Sequence, residues 1–284
     1  MANITAAEVK KLRDATNLGM MECKKALVET DGDLDAAIAY LREKNKNLDV
    51  KKGDREANEG AIGVYVVEDG ASGAIIEVNC ETDFVGKNET FRGIVADLAY
   101  QAAYSGTSDV EAFLAAKYIK DESKTVKEFV VEAIATVGEN VVVKRIATIG
   151  AQDGVIGSYV HSDGKKGALV VLEGAKSDDA KEAAREIAMQ AVALRAPYVN
   201  RDAVPADVLE AEKALYIKQA ADEGKPEAMQ GKIAEGRLNK FYGENTLVEQ
   251  KFIKDESGKK SVADHAKGFG GTIEDFIRFE VGVA

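Results

Sequence analysis

The residues best suited to act on another molecule are Thr82, Asp83, Phe84 and Val85, which follow the β-rich run Ile75-Ile76-Glu77-Val78-Asn79-Cys80-Glu81. A carboxylate and a large ring side by side, just past a strand end, suit two kinds of work. Thr82 or Asp83 can cap a following helix while Phe84 staples that helix to the core. Alternatively, the turn carries an exposed Asp-Phe wedge aimed at another protein, since aromatic anchors dominate protein binding. The chain has no Trp and only nine Phe, so a Phe in this place asks for a reason.

No other constellation offers chemistry. His161 and His265 sit in unrelated segments, and neither has a partner at metal-ligand spacing. The sequence contains no nucleophile elbow, Walker loop or dinucleotide-binding glycine fingerprint. Asp163-Gly164-Lys165-Lys166-Gly167 lacks the spacing of a phosphate loop and reads as a hairpin turn. No pair of acidic residues lies in an apolar setting that would tune its pKa. The chain therefore reads as a binding protein, not an enzyme, with no catalytic residue, cofactor, metal or nucleotide site of its own.

Composition narrows the partner. The 284 residues carry a formal charge of −11, which disfavours direct nucleic-acid binding and suits a basic or mixed protein surface. Apolar residues at 45% and charged residues at 31% fit a folded chain long enough for two or three cores. Charges interrupt every apolar run before it reaches membrane-spanning length. Cys23 and Cys80 fit no disulfide framework or CxxC site, and the N-terminus lacks an apolar signal core, so a reducing, cytoplasmic setting is expected.

The elements that must position the turn follow from pattern. Thr5-Ala6-Ala7-Glu8 reads as a capping box opening a first helix, Met20 to Leu27 as a second, and Asp31-Gly32-Asp33 as the stop before a third carrying Leu34, Ile38 and Leu41 on one face. Three helices in so few residues suggest a small docking module resembling the ubiquitin-associated bundle. Residues 44–59 are polar and charged, a solvated linker or charged helix.

The middle of the chain repeats itself. Gly60-Ala61-Ile62-Gly63-Val64-Tyr65-Val66 recurs as Gly154-Val155-Ile156-Gly157-Ser158-Tyr159-Val160, with Asp69-Gly70 and Gly73-Ala74 matched by Asp163-Gly164 and Gly167-Ala168. Each copy reads as strand, Asp-Gly turn and strand, followed by an Ala-rich helix near 91–104 or 180–194. Where the first copy has Cys80-Glu81-Thr82-Asp83-Phe84-Val85, the second has the polar Gly174-Ala175-Lys176-Ser177-Asp178-Asp179. A staple needed by the fold should have an apolar twin, so this difference favours a working role for Asp83-Phe84. A helix over 125–136 and a strand over 140–149 join the copies. Pro205 opens a helical hairpin broken at Gly224-Lys225-Pro226, with Val208, Ala211 and Leu215 on one arm and Met229 and Ile233 on the other forming its expected apolar stripe. A short helix at 262–266, a Gly-rich turn and a strand over 276–281 close the chain.

The expected architecture is α+β. It comprises a helical docking domain with linker at 1–52, core subdomains at 53–149 and 150–261, a hairpin arm inserted at about 205–241, and a C-terminal module at 262–284.

Three motifs together resemble the bacterial elongation factor Ts family. The stretch from Leu12-Arg13 through Gly19-Met20-Met21-Glu22-Cys23-Lys24-Lys25-Ala26-Leu27 is similar to that family's N-terminal signature. Glu77-Val78-Asn79-Cys80-Glu81-Thr82-Asp83-Phe84-Val85 is similar to its second, and Phe276-Ile277-Arg278-Phe279-Glu280-Val281-Gly282 to its C-terminal module. Asn17-Leu18 stands where a Gly-Ala pair is common and Gly86 where Ala is common, and the chain ends soon after Val281. The resemblance implies nucleotide exchange on elongation factor Tu. Asp83 and Phe84 would enter beside the partner's Mg²⁺ and phosphate region, Thr82 and Val85 would seat them, and Arg13, Met20 and Met21 would dock. It leaves open a homodimer or a 2:2 complex, and a passive docking adaptor without exchange activity is the alternative.

Overall fold

A computed structural model describes residues 4–16, 18–45 and 52–283. The linker expected over 44–59 falls in part on 46–51, which lie outside the described residues, as does Asn17. The chain is a mixed α+β protein with three small antiparallel sheets.

The first three helices are α1 (Ala6–Thr16), α2 (Met20–Glu29) and α3 (Leu34–Asn45). Glu8 Oε2 accepts the Thr5 amide at 2.7 Å while the Glu8 amide donates to Thr5 Oγ1 at 3.3 Å, which satisfies two N-terminal donors of α1. Asp33 Oδ1 likewise accepts the Ala36 amide at 2.9 Å and starts α3. Leu12, Cys23, Leu27 and Leu41 meet in one buried cluster, onto which Ala135 of a later helix also packs.

Two three-stranded sheets follow. β1 (Glu59–Val66), β2 (Ser72–Cys80) and β5 (Val141–Gly150) form the first, with β2 in the centre. β6 (Gly154–Val160), β7 (Lys166–Glu173) and β8 (Thr272–Glu280) form the second, with β7 in the centre. The C-terminal segment, expected as a module of its own, thus supplies the third strand of this sheet, and β8 begins four residues before the expected Phe276. Its alternating pattern finds main-chain partners along β7, from Glu173↔Thr272 to Lys166↔Glu280. A two-residue strand β3 (Lys117–Tyr118) and β4 (Asp121–Thr125) make a small third sheet.

The two larger sheets face one another through Ile62, Ile75, Ile149, Ile156, Leu169 and Phe279. Their outer faces are covered by helices. On the first sheet lie α5 (Glu89–Ser105) and α7 (Val126–Val137), with α6 (Val110–Ala115) beside them, and Phe91, Leu98 and Phe113 fill the space beneath. On the second lie α8 (Asp178–Leu194) and α11 (Val262–Gly268). The repeated glycines have a physical cause: a Cβ at Gly63 would stand 2.9 Å from the Val95 carbonyl oxygen, and one at Gly157 2.1 Å from the Ala184 carbonyl carbon. Only a residue without a Cβ lets each helix seat so closely on its strand.

An ion pair between facing residues of β2 and β5, buried on its Glu77 side, is tied to the end of β8. Glu77, 2% exposed on β2, accepts Arg145 Nε at 2.7 Å through one oxygen and the Gly282 amide at 3.1 Å through the other. Arg145 also lies over the Phe279 ring and donates to the Glu280 carbonyl at 3.0 Å.

The helical hairpin is α9 (Ala206–Asp222) and α10 (Glu227–Asn245). The stripe expected from sequence is met only in part. Val208 and Ile233 are half-buried but Ala211, Leu215 and Met229 are exposed, while Ala220 and Ala234 are buried and Tyr216, Ile217 and Leu238 are half-buried. Alanines let the two backbones approach, and the Arg237–Glu223 pair at 2.7 Å spans the join. With so few apolar residues on either arm, spacing alone did not single out the contact face.

Candidate functional site: the turn after the central strand

Strand β2 ends at Cys80, and α4 (Asp83–Lys87) begins three residues later. Thr82 is the cap: its Oγ1 accepts the Val85 amide at 3.4 Å, and its carbonyl accepts the Gly86 amide at 3.1 Å. Val85 packs against the first core, and Gly86 is buried against β1, where a Cβ would stand 3.2 Å from the Gly60 carbonyl oxygen. Phe84 points the other way. It is 83% exposed, the most exposed of the large apolar side chains among the described residues. The cap half of the capping-and-staple reading is therefore present, whereas the staple is not, because Val85 and Gly86 already occupy the seat on the core. Asp83 is half-exposed and paired with Lys87 Nζ at 2.7 Å; the hydrogen bond from Lys87 holds its carboxyl below the usual range.

The turn is tied down on both sides. Glu139, in the loop between α7 and β5, accepts the Glu81 and Thr82 amides at 3.1 and 3.0 Å through Oε2 and the Thr82 hydroxyl at 2.6 Å through Oε1. In return Glu81 Oε1 accepts the Asn140 amide at 2.6 Å. Past α4, Arg92 donates to the Gly86 carbonyl at 3.5 Å and to the Asp163 carbonyl at 3.1 Å. Arg92 thereby brings the β6–β7 turn beside the Asp-Phe turn. That neighbouring turn is the tight hairpin read from sequence, with Gly164 at φ 75° and the His161 amide donating to the Lys166 carbonyl at 2.9 Å. His161 is exposed on it and shares a 3.0 Å hydrogen bond with the Tyr159 hydroxyl. Lys165 reaches back to Glu59 Oε2 at 2.5 Å, a bond that raises the lysine's pKa.

Sequence reasoning missed Glu139, Arg92 and this proximity of the two turns. Glu139 lies 57 residues from Thr82, and nothing in its local pattern signals the contact. The second expected group is elsewhere. Arg13 is exposed near the end of α1, and Met20 and Met21 are 47% and 65% exposed at the start of α2, all on the helical bundle. A cavity of about 720 Å³ between the bundle and α5 and α7 has Leu41, Ile94, Phe129 and Ala135 among its lining residues and none of residues 82–85. Among the described residues, no group of three or more acidic, His or Cys side chains could hold a metal ion. No described helix is long and apolar enough to cross a membrane.

This mixed α+β protein thus carries an exposed aromatic on a short, braced turn and exposed methionines on its helical bundle. The family model described as "Elongation factor TS" matches residues 81–283, more than half of the chain. Elongation factor Ts of Clostridium botulinum (strain ATCC 19397 / Type A) is 47% identical over 285 residues, covering 98% of this chain and 92% of the relative. The proteins of that name from Clostridium tetani and Clostridium kluyveri are each 44% identical over 284 residues, covering 98% of this chain and 93% of each relative. The chain belongs to the elongation factor Ts family. As a member it is a cytoplasmic factor of translation elongation, a nucleotide-exchange factor and not an enzyme, with elongation factor Tu as its partner.

Proposed function

We propose that the protein docks on GDP-bound elongation factor Tu and releases GDP by inserting Asp83 and Phe84 beside the partner's Mg²⁺ and phosphate region, with Thr82 and Val85 seating the turn. The observation that carries this reading is the exposure of Phe84 on a turn braced from both sides. An exposed ring adds little to the fold, and burying it against a partner supplies about 1.5–3 kcal/mol. Mg²⁺ in a nucleotide site is held by few protein ligands together with phosphates and waters, so a small displacement loosens it.

Turning a site that is almost always occupied into one almost always open requires roughly 5.5 kcal/mol of differential binding. Phe84 alone falls short, so the remainder comes from a distributed interface. Arg13, Met20 and Met21 are assigned to docking, a task that suits exposed, adaptable methionines. Reciprocity follows: GDP weakens the binding of this protein by the factor with which the protein weakens GDP.

The finer architecture belongs to the same proposal. Residues 1–52 act as a ubiquitin-associated-like docking domain with its linker. Residues 53–149 and 150–261 are core subdomains that arose by duplication, a reading supported by their repeated strand sequences and parallel glycine contacts. The hairpin at about 205–241 and the segment 262–284 extend the contact, to the partner or to a second copy of this protein in a homodimer or a 2:2 complex. The test is to add the full chain to elongation factor Tu loaded with fluorescent GDP. Saturable acceleration of release is expected. Tight binding with an unchanged release rate would identify a passive adaptor and refute the proposal.

A further inference from the structure

We propose that Glu139 is a positioning residue for exchange, acting through Thr82 to hold the turn that presents Phe84; this rests on the reading of Phe84 as the side chain that works on the partner. Helix α4 has five residues, too few to hold a direction by its own hydrogen bonds. Phe84 makes no core contact, so its direction depends on what anchors the turn. On the far side the anchors are Val85 and Gly86 against the core. On the near side they are the three hydrogen bonds to Glu139.

The bonding at Thr82 is directional. Its hydroxyl donates to Glu139 Oε1 at 2.6 Å and accepts the Val85 amide at 3.4 Å. Donation to the carboxylate fixes the hydroxyl proton, which turns a lone pair toward the first turn of α4. The other carboxylate oxygen takes two consecutive amides, so the backbone at 81–82 and the Thr82 rotamer are set together. A carboxylate accepts on both oxygens at once. A Gln amide offers one oxygen and one NH₂, so either the amide pair meets a donor or the Thr82 hydroxyl must turn to accept from the NH₂ and its proton loses the acceptor that fixed it.

Glu139 is only half-buried, and its bonds to Thr82 are exposed. It also follows directly on Gly138, the C-cap of α7, the helix whose Ala135 packs on the bundle. Fold stability and presentation of Phe84 can therefore be separated at this residue.

The test uses the full chain and fluorescent-GDP-loaded elongation factor Tu in stopped flow, over a concentration series that separates the maximal release rate from the half-saturating concentration. Glu139→Gln is expected to lower the maximal rate about three- to tenfold, the loss when the competent turn is populated a third to a tenth of the time. Half-saturation and the thermal midpoint should stay near wild type. Thr82→Val breaks the same bond from the other side and should reproduce the loss, whereas Thr82→Ser, which keeps the hydroxyl, should restore the rate. In a Phe84→Ala background, Glu139→Gln should add no further loss.

A wild-type rate for Glu139→Gln beside an impaired Phe84→Ala would overturn the assignment of Glu139 alone. So would an equal loss from Glu139→Gln in both backgrounds. A wild-type rate for Phe84→Ala would instead refute the working role of Phe84, and this proposal with it.

Discussion

Phe84 and Phe91 lie seven residues apart and provide a matched test of what the Asp-Phe turn is for. Phe84 is 83% exposed, whereas Phe91 is fully buried in the first core with Val95 and Leu98. Truncating a buried Phe to Ala removes its transfer energy and leaves a cavity, so Phe91→Ala should cost about 3–5 kcal/mol of stability. Phe84→Ala removes a ring that is already in water, and the change should stay within about 0.5 kcal/mol, the range of ordinary surface substitutions. The function should respond in the opposite order. If the Phe84 ring is buried on the partner, its loss forfeits about 1.5–3 kcal/mol. At 1.36 kcal/mol per decade, that is roughly a tenfold to hundredfold fall in stimulated GDP release. Denaturant titration and stopped-flow release on the same preparations give both quantities. A Phe84→Ala protein that unfolds as easily as Phe91→Ala, yet stimulates release normally per folded molecule, would refute the reasoning.

Other expectations follow from the same structure. Equilibrium dialysis of the chain alone with labelled GDP or GTP should show no saturable binding, and micromolar affinity would contradict the exchange reading. Deleting residues 1–52, which carry the exposed Met20 and Met21, should raise the concentration needed for half-maximal release while much of the stimulation returns at saturation. Glu77→Ala removes one partner of the buried pair with Arg145 and the acceptor of the Gly282 amide, and should destabilise the protein by about 3 kcal/mol in urea titration, the low end for a broken buried pair because Arg145 is partly exposed. Asp255 accepts Ser257 Oγ and the Lys259 and Lys260 amides, led by the Ser257 bond, and its pKa is pushed down to about 2. A depressed carboxylate stabilises fully above its ordinary value of 3.8 and ceases to do so as pH falls through its folded value. Asp255→Asn should therefore flatten the stability curve between about pH 4 and pH 2.

Much of the chain is legible wherever the determining interactions are local. The capping box Thr5–Glu8 and the Asp33 cap form as their spacing implies, because each closes within four residues. The Asp69-Gly70 and Asp163-Gly164 turns form for the same reason, with both glycines at positive φ. Legibility fails where the partner is remote. The hairpin departs from the expected stripe at Ala211, Leu215 and Met229 because sparse apolar residues leave helix rotation to be chosen by the facing arm, here through Ala220 and Ala234.

At the site itself, the sequence alone determined that Thr82 can cap and that an aromatic stands where the second copy has none, since both facts are matters of residue type and order. It also determined the family resemblance on which Asp83 and Phe84 were singled out. Tertiary structure decided which way Phe84 points: Val85 and Gly86 take the seat on the core, and the ring is left in solvent. It also decided what steadies the turn, because Glu139 and Asp163 reach it only after β2, α7 and the second sheet have packed. A hydrogen bond spanning 57 or 71 residues has no local pattern; it exists only once burial of the two cores has offset the entropy of bringing those segments together.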